Sequence, residues 1–132
     1  MLLRVDPLGP EPLFEQLVLQ VKGAVARGEL RPGDRLPSVR ELAGELSINP
    51  NTVARAYREL EAAGVIATRR GAGCFVKDVA PVMRDSERAR RLAALLERAV
   101  TEAYHLGFGA EEIRRALSLH LAEVRFKRKK VR

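Results

Sequence analysis

The feature that most constrains this sequence is a short polar connection at residues 47–50 between two amphipathic segments. Before it, Ser38 and Glu41 have the spacing of a capping box, which predicts a short helix that ends at the connection. After it, Asn49 can cap a helix and Pro50 can occupy the first helical position, where a missing N–H costs nothing. Two helices joined so closely must pack against each other, so the connection predicts a helix-turn-helix.

Apolar spacing adds a helix before this pair and a hairpin after it. A first helix is predicted from about residue 11 to residue 27, where leucines and valines recur every four residues. The helix after the connection keeps one apolar face and closes at Gly64. Short β-prone runs at 65–68 and 74–76 flank a glycine turn at 71–73, which predicts a hairpin. Three helices followed at once by a hairpin is the order of a winged helix-turn-helix, so the predicted fold class is α+β.

The rest of the chain predicts a second helical region. Beyond a linker at 78–85, helices are expected at 86–106 and 110–124, separated by a glycine-rich break. Each has an apolar face that a two-helix hairpin cannot bury alone, so we expect these faces to pack across a twofold axis against a second copy. The residues expected in that contact are Leu95, Leu96, Val100, Leu117 and Leu121. The chain is thus predicted to divide into a winged helix-turn-helix domain, residues 1–78, and a helical dimerisation region, residues 79–132.

The net charge of +7 is unevenly distributed and says little about the winged domain. Residues 1–78 carry 11 basic and 10 acidic side chains, a net +1, whereas residues 79–132 carry 13 and 7, a net +6. Six of the basic groups lie in the last eight residues, 125–132, with no acidic one among them. Nucleic-acid binding by the winged domain therefore has to be argued from its motifs.

Composition disfavours several classes of protein. No window approaches the roughly 20 uninterrupted apolar residues of a membrane span, and no signal sequence is evident, so a cytoplasmic protein with no membrane partner is expected. One cysteine, Cys74, excludes an internal disulfide, and two histidines, His105 and His120, are too few for a zinc site without carboxylates. No phosphate-binding loop or zinc-protease motif occurs, so no metal, no cofactor and no enzyme activity are expected.

The third helix has the residues expected of a helix that enters a DNA major groove. Its first turn carries the short polar side chains Asn49, Asn51 and Thr52, which can approach base edges and phosphates. Arg55 and Arg58 continue the exposed side, while the opposite side stays apolar. A surface helix with no partner would need only the apolar side.

Three stretches then carry a family resemblance: LRPGDRLPSVRELA at 30–43, NPNTVARAYRELEAAG at 49–64 and RRGAGCFV at 69–76. In this order they resemble the DNA-binding domain of the GntR family of bacterial transcription regulators, over residues 11–77. The resemblance implies DNA contacts in the second helix, the third helix and the wing tip. The positions that match the family's contacting residues are Arg40, Asn49, Asn51, Thr52, Arg55, Arg70 and Gly71.

Two positions depart from the family pattern. Ala54 stands where some members have a contacting arginine, which leaves the operator sequence open, and Cys74 stands where the wing commonly has threonine. The opening at 49–52, with Tyr57 and a short two-helix tail, is similar to the YtrA subfamily, in which the tail serves dimerisation.

The expected function is that of a homodimer that binds a palindromic operator in double-stranded DNA, with repression favoured by the likeness to the YtrA subfamily. A tail of about 50 residues has no room for a large effector domain. A small-molecule effector, whose identity stays open, would therefore bind at the dimer interface or between tail and DNA-binding domain. The main alternative is a basic RNA- or ribosome-associated winged-helix protein anchored by its C-terminal basic run. A third is an interaction module that binds no nucleic acid.

Overall fold

A computed structural model describes residues 3–78 and 83–126, so half of the expected linker and most of the basic tail lie outside the described residues. Contacts group the described residues into two units, 3–78 with 125–126, and 83–124. The predicted winged helix-turn-helix followed by two C-terminal helices is confirmed. The elements, in chain order, are α1 (Leu13–Ala26), α2 (Val39–Leu46), α3 (Pro50–Ala62), β1 (Ile66–Arg69), β2 (Gly73–Val76), α4 (Asp85–His105) and α5 (Ala110–Glu123).

The connection between α2 and α3 forms as the sequence predicts. The Ser38 Oγ accepts a hydrogen bond from the Glu41 N–H at 3.1 Å, which caps α2. The Asn49 Oδ1 accepts one from the Asn51 N–H at 2.8 Å, which caps α3. Ser47 closes α2 with a left-handed φ of 55° and redirects the chain into α3. The two helices consequently pack against each other.

One apolar core joins the helices of the first unit to its hairpin. α3 contributes Val53, Ala56 and Leu60, whose side chains are 0% exposed. These residues recur at the helical spacing, so one side of α3 is committed to the core and the other is left for solvent or a partner. The remaining buried members of this core include Leu17, Val21, Leu30, Leu36, Leu42, Ile66 and Val76.

The wing is a two-stranded hairpin that also pairs with the segment before α2. β1 and β2 pair antiparallel, with Ile66 opposite Val76. In the segment before α2, Arg35 forms an isolated antiparallel bridge with Phe75. Ile66 and Val76 are buried, so the inner face of the wing covers the core. Alternate residues along the strands therefore lie on its outer face.

α4 and α5 form a helical hairpin that has no core of its own. The turn between them uses Gly107 at a φ of +90°, and the Phe108 N–H donates to the Ala103 carbonyl. At the start of α5 the Glu112 carboxylate accepts the Gly109 N–H at 3.3 Å. No residue of either helix is buried.

α4 is the longest helix, and its surface is highly charged. Arginines pair with acidic residues three or four positions away on the same helix, as in Arg91 with Glu87 and Arg98 with Glu102. Such exposed pairs stabilise a helix by only about 0.3–0.5 kcal/mol each. Among the helices within residues 3–78 and 83–126, none has the length and apolar character needed to cross a membrane.

Tyr57 links α3 to the segment that leads into α2. Its ring is buried in the core, and its hydroxyl donates a hydrogen bond to the Pro37 carbonyl at 2.6 Å. Pro37 directly precedes the Ser38 cap, so this bond fixes the start of α2 relative to α3. Burial of the hydroxyl raises the pKa of Tyr57 well above the value of an exposed tyrosine, about 10.

Because the pKa of Tyr57 is raised, the free energy of unfolding of the first unit should fall at alkaline pH. Below about pH 10 both states keep the Tyr57 proton, and its contribution to the free energy of unfolding is complete. Above that pH the unfolded chain ionises first, so the free energy of unfolding should fall by up to about 1.4 kcal/mol per pH unit.

Urea unfolding followed by circular dichroism from pH 7 to 11 measures this decline. Tyr57→Phe should remove the part of the decline that Tyr57 causes. Tyr104→Phe, at a ring that is 70% exposed, is the matched control and should keep the decline. An unchanged decline in Tyr57→Phe would contradict the assignment.

Candidate nucleic-acid interface

The start of α3 presents a polar surface to solvent. Asn51 is exposed and Thr52 is partly exposed, while the buried side of the helix faces the core. The side-chain oxygen of Asn49 already caps the helix, but its amide N–H₂ group is left for a further acceptor. Short polar side chains at a helix N-terminus can reach base edges without a steric barrier. The structure therefore brings together the three polar residues that the sequence analysis placed here.

Arg40 lies on the neighbouring helix. It is the second residue of α2 and is exposed. The hydrogen bond from Tyr57 to Pro37 holds the start of α2 against α3, so the backbone that carries Arg40 is fixed relative to α3. Its side chain is long enough for the guanidinium to move beyond the surface of the helix and bind two acceptors at once.

The tip of the wing is a tight turn with a basic residue. The Ala72 N–H donates to the Arg69 carbonyl, and Gly71 has a φ of +79°, a conformation that side-chain-bearing residues rarely adopt. Arg70 and Gly71 are both exposed at this tip. A glycine at the tip also keeps the turn narrow enough to approach a nucleic-acid groove. The predicted wing tip is therefore present, and the DNA contacts assigned to it stay a prediction.

The outer face of the wing carries two further arginines that the predicted site omitted. The Arg69 guanidinium lies 5.2 Å from the centroid of the Phe75 ring. Arg35 comes from the segment that pairs with β2, and its Nε lies 3.0 Å from the position that a Cβ on Gly73 would occupy. Arg69 thus lies beside Phe75, and Arg35 lies beside Gly73. Arg69 was visible as half of a basic pair, but only strand pairing reveals that Arg35 joins the wing.

Arg55 is placed differently from the other predicted contacts. Its guanidinium carbon lies 3.7 Å above the centroid of the Phe14 ring, which belongs to α1. Arg55 remains exposed, so the stacked group stays accessible at the edge of the polar surface. Arg55 was predicted as a DNA contact from the sequence, which gave no sign of its aromatic partner.

No group of histidine, cysteine and acidic residues within 3–78 and 83–126 is arranged to hold a metal ion. Cys74 is a free thiol whose Sγ lies 3.4 Å from the Thr68 hydroxyl oxygen, in the middle of the hairpin. This placement makes Cys74 part of the side-chain pairing between β1 and β2.

The α4–α5 hairpin carries a second surface of a different kind. Large apolar side chains that a monomer would leave in water cover it, and a groove of about 580 Å³ runs between the two helices. Phe108 and Ile113 are among the residues that line the groove. The residues that the sequence analysis assigned to dimerisation have these exposed fractions: Leu95 68%, Leu96 44%, Val100 50%, Leu117 45% and Leu121 50%.

A winged helix with a polar third helix and an arginine-glycine tip defines the class of winged helix-turn-helix regulatory proteins. Residues 13–76 match the family described as bacterial regulatory proteins, gntR family. The chain is also 36% identical over 112 residues to the HTH-type transcriptional repressor YtrA of Bacillus subtilis (strain 168), over 85% of this chain and 86% of that protein. The chain therefore belongs to the GntR family, and the predicted likeness to YtrA is confirmed.

Solved structures show the same architecture. A transcriptional antiterminator from Listeria monocytogenes EGD-e is similar with a TM-score of 0.81 at 26% identity, over 99% of this chain and 98% of that one. YtrA from Sulfolobus acidocaldarius, a GntR-family transcription factor, is similar with a TM-score of 0.63 at 32% identity, over 76% of this chain and 99% of that one. The first likeness runs the length of the chain, so it includes a counterpart of the two C-terminal helices.

Proposed function

We propose that the protein is a homodimeric transcription repressor that binds a palindromic operator in double-stranded DNA. In this proposal residues 1–78 form the DNA-binding domain and residues 79–132 form the dimerisation region. The single observation that carries the proposal is the division of α3 into a fully buried side and a polar side that begins with Asn51 and Thr52. A helix built this way is anchored by one face and free to enter a major groove with the other.

Some of the proposed contacts are to bases, and others are to the DNA backbone. Arg40 and Asn51 carry side chains that pair bidentately with guanine and adenine, respectively, in the major groove. Thr52 can accept or donate a hydrogen bond and can contact a thymine methyl group. Asn49, after capping α3, retains donors for a phosphate oxygen, and Arg70 with Gly71 would enter the adjacent minor groove. Each good base contact adds about 1–3 kcal/mol of discrimination.

Dimerisation is supported by the apolar surface of the hairpin. Leu96 and Leu117 are close to half exposed, and burying the remaining half of such a side chain contributes about 0.7–1.5 kcal/mol. A twofold contact uses every residue twice, so a few leucines and valines are enough for a stable dimer. Two copies of α3 related by the same axis would then occupy two half-sites, which is why the operator is expected to be palindromic.

Repression and effector control form the finer part of the proposal. Repression is supported by the likeness to the Bacillus subtilis transcriptional repressor YtrA, which matches most of this chain. The groove between α4 and α5 lies within the surface proposed for dimerisation. A small apolar effector that entered this groove would change the dimer contact, and through it the spacing of the two copies of α3.

The RNA-binding alternative is supported by one similar structure, the transcriptional antiterminator from Listeria monocytogenes EGD-e. Duplex RNA has a deep, narrow major groove that side chains cannot reach, and it is recognised mostly through its backbone and minor groove. A protruding helix start with short polar side chains fits the wider major groove of B-form DNA. DNA is therefore the proposed partner, and duplex RNA is included in the test.

The test begins by selecting an operator from a random DNA library with the full-length protein. Arg40→Ala and Thr52→Ala should then each lower operator affinity about 10- to 100-fold, because each removes a base contact from both half-sites. Their affinity for random duplex DNA should change much less. Fluorescence anisotropy at one fixed salt concentration gives both values, and the melting temperature of each variant should match that of the wild type.

Arg90→Ala is the matched control, since it removes one exposed arginine from α4 and leaves α2 and α3 intact. It should lower affinity for operator and random DNA by the same small factor. If Arg40→Ala behaves like Arg90→Ala, Arg40 does not contact bases. Tighter binding of duplex RNA than of the selected DNA would favour the RNA-binding alternative over the whole proposal.

A further inference from the structure

The contact between Arg55 and Phe14 joins the helix proposed to bind DNA to the first turn of α1. The guanidinium carbon is 3.7 Å from the centroid of the ring, within the range of a cation–π interaction. Phe14 is the second residue of α1 and packs, partly buried, against the core. The fold thus fixes the position of the Phe14 ring, and stacking on the ring fixes the position of the Arg55 guanidinium.

Stacking leaves the hydrogen-bonding groups of Arg55 available. The ring occupies one flat face of the guanidinium, whereas the N–H donors lie in its plane and point away from the ring. Arg55 is exposed, and no carboxylate within residues 3–78 and 83–126 forms an ion pair with it. A cation held in one place with unoccupied donors is ready to bind an anion.

The position of Arg55 on α3 indicates which anion. It lies one helical turn after Asn51 and on the same side of the helix, so it is set back from the first turn that approaches the bases. Groups at the flank of a recognition helix meet the sugar–phosphate backbone that borders the groove. The guanidinium fork matches phosphate geometry and can form two parallel N–H···O bonds to it.

We propose that Phe14 is a positioning residue for DNA binding, whose ring holds the Arg55 guanidinium to bind a backbone phosphate beside the bases that α3 contacts. The inference rests on the proposed function and adds to it a role for an aromatic residue outside the recognition helix. It also assigns Arg55 to phosphate binding rather than base recognition. Because stacking already restricts the arginine side chain, less conformational freedom is lost when the phosphate binds.

A double-mutant cycle tests the proposal in the full-length protein, with the selected operator and random duplex DNA as probes. Arg55→Ala should lower affinity for both DNAs by the same factor and make the salt dependence shallower by about 0.9 log unit per log unit of salt for each copy that binds a phosphate. Phe14→Leu should lower affinity about tenfold while the Arg55 charge is present. In the Arg55→Ala background, Phe14→Leu should change affinity less than about twofold.

Conservative variants separate positioning from folding. Phe14→Tyr keeps an aromatic ring and should bind DNA like the wild type. This variant therefore tests the role of the ring even if Phe14→Leu lowers the melting temperature. Arg55→Lys keeps the charge and leaves Phe14 in place, but it loses the flat group that stacks, so its affinity should lie between those of the wild type and Arg55→Ala.

The outcomes that overturn this inference differ from those that overturn the proposed function. If Phe14→Leu weakens binding equally with and without Arg55, the ring acts only on the fold. If Arg55→Ala leaves both affinities and the salt dependence unchanged, the stacked pair only joins α1 to α3. In either case a wild-type protein that still prefers its operator leaves the proposed function standing, whereas a wild type without any operator preference removes both.

Discussion

Replacing Leu96 and Leu117 with aspartate should convert the protein from a dimer into a monomer and lower operator affinity at least about 100-fold. Each leucine is about half exposed and contributes about 0.7–1.5 kcal/mol when the rest of it is buried, and an aspartate buried in the same place lacks a partner and costs more. The twofold axis applies every substitution twice. A monomer keeps one copy of α3, and so it loses half of the base contacts.

The measurement combines sedimentation velocity at micromolar concentration with anisotropy on the selected operator. Leu8→Asp with Leu19→Asp is the matched control, because these leucines are 95% and 60% exposed and lie outside the hairpin. It adds the same two negative charges per chain and should remain dimeric. A dimeric Leu96→Asp, Leu117→Asp protein with unchanged operator affinity would exclude the α4–α5 surface as the dimer contact.

A fragment that consists of residues 1–78 tests the same dimer contact. It should fold, because the described core of the first unit draws its buried residues from α1, α2, α3 and the wing. It should also be monomeric, and it should bind the operator more weakly than the aspartate variant does, because it also lacks the basic C-terminal residues. A dimeric fragment would place the dimer contact in the winged domain and contradict the proposed division of the chain.

Local sequence signals were sufficient for most of the fold. Ser38 and Asn49 cap the helices that they were predicted to cap, because a cap depends on neighbours only two or three residues away. The predicted boundaries moved by one or two residues: α1 begins at Leu13 rather than near residue 11, and α4 begins at Asp85 rather than at Ser86. Helix ends are where local signals compete, so such shifts are expected.

The structural features that could not be predicted from the sequence depend on contacts between residues that are distant in the chain. Arg35 has no periodic pattern that would assign it to the wing, and only its bridge to Phe75 does so. The stacking of Arg55 on Phe14 is likewise invisible in sequence, because the two helices pack at an angle that no spacing rule predicts. The residues predicted to contact DNA are arranged as expected on α2, α3 and the wing, while their contacts stay predictions.

The second large effect is expected from the basic C-terminal residues. Removing Lys127 to Arg132 takes away five of the positive charges while leaving residues 1–78, which are nearly neutral, intact. Each phosphate contact contributes a salt dependence of about 0.9 log unit per log unit of salt on duplex DNA. If all five engage phosphates on one copy, the deletion should lower affinity about 500-fold more at 50 mM salt than at 200 mM salt. Engagement on both copies of the dimer would square this factor.

The ratio of operator affinity to random-DNA affinity should survive this deletion. Lysine and arginine side chains that touch phosphates carry no direct sequence information, so both affinities should fall together. The measurement repeats the anisotropy titrations at four or more salt concentrations, which gives the slope and the ratio from the same data.

A charge-matched control shows whether the position of these charges matters. Five arginines of α4 and α5 are changed to glutamine, which lowers the net charge by the same amount and keeps the C-terminal residues: Arg88, Arg90, Arg91, Arg98 and Arg115. If the C-terminal side chains contact phosphates, the deletion should make the salt dependence of binding shallower than the control does. If only long-range attraction matters, the two variants should behave alike, since screening acts on both equally.

The same experiment decides between the proposed regulator and the basic RNA-binding alternative. In the proposal, site choice comes from the polar side of α3, and the C-terminal charges add attraction to any DNA. In the alternative, those charges are the principal anchor, so their removal would abolish binding to duplex RNA and operator DNA together. A deletion variant that still selects its operator, with α3 intact, would place sequence recognition in the winged helix-turn-helix. A variant that loses the preference entirely would show that the near-neutral winged domain cannot recognise an operator without the tail.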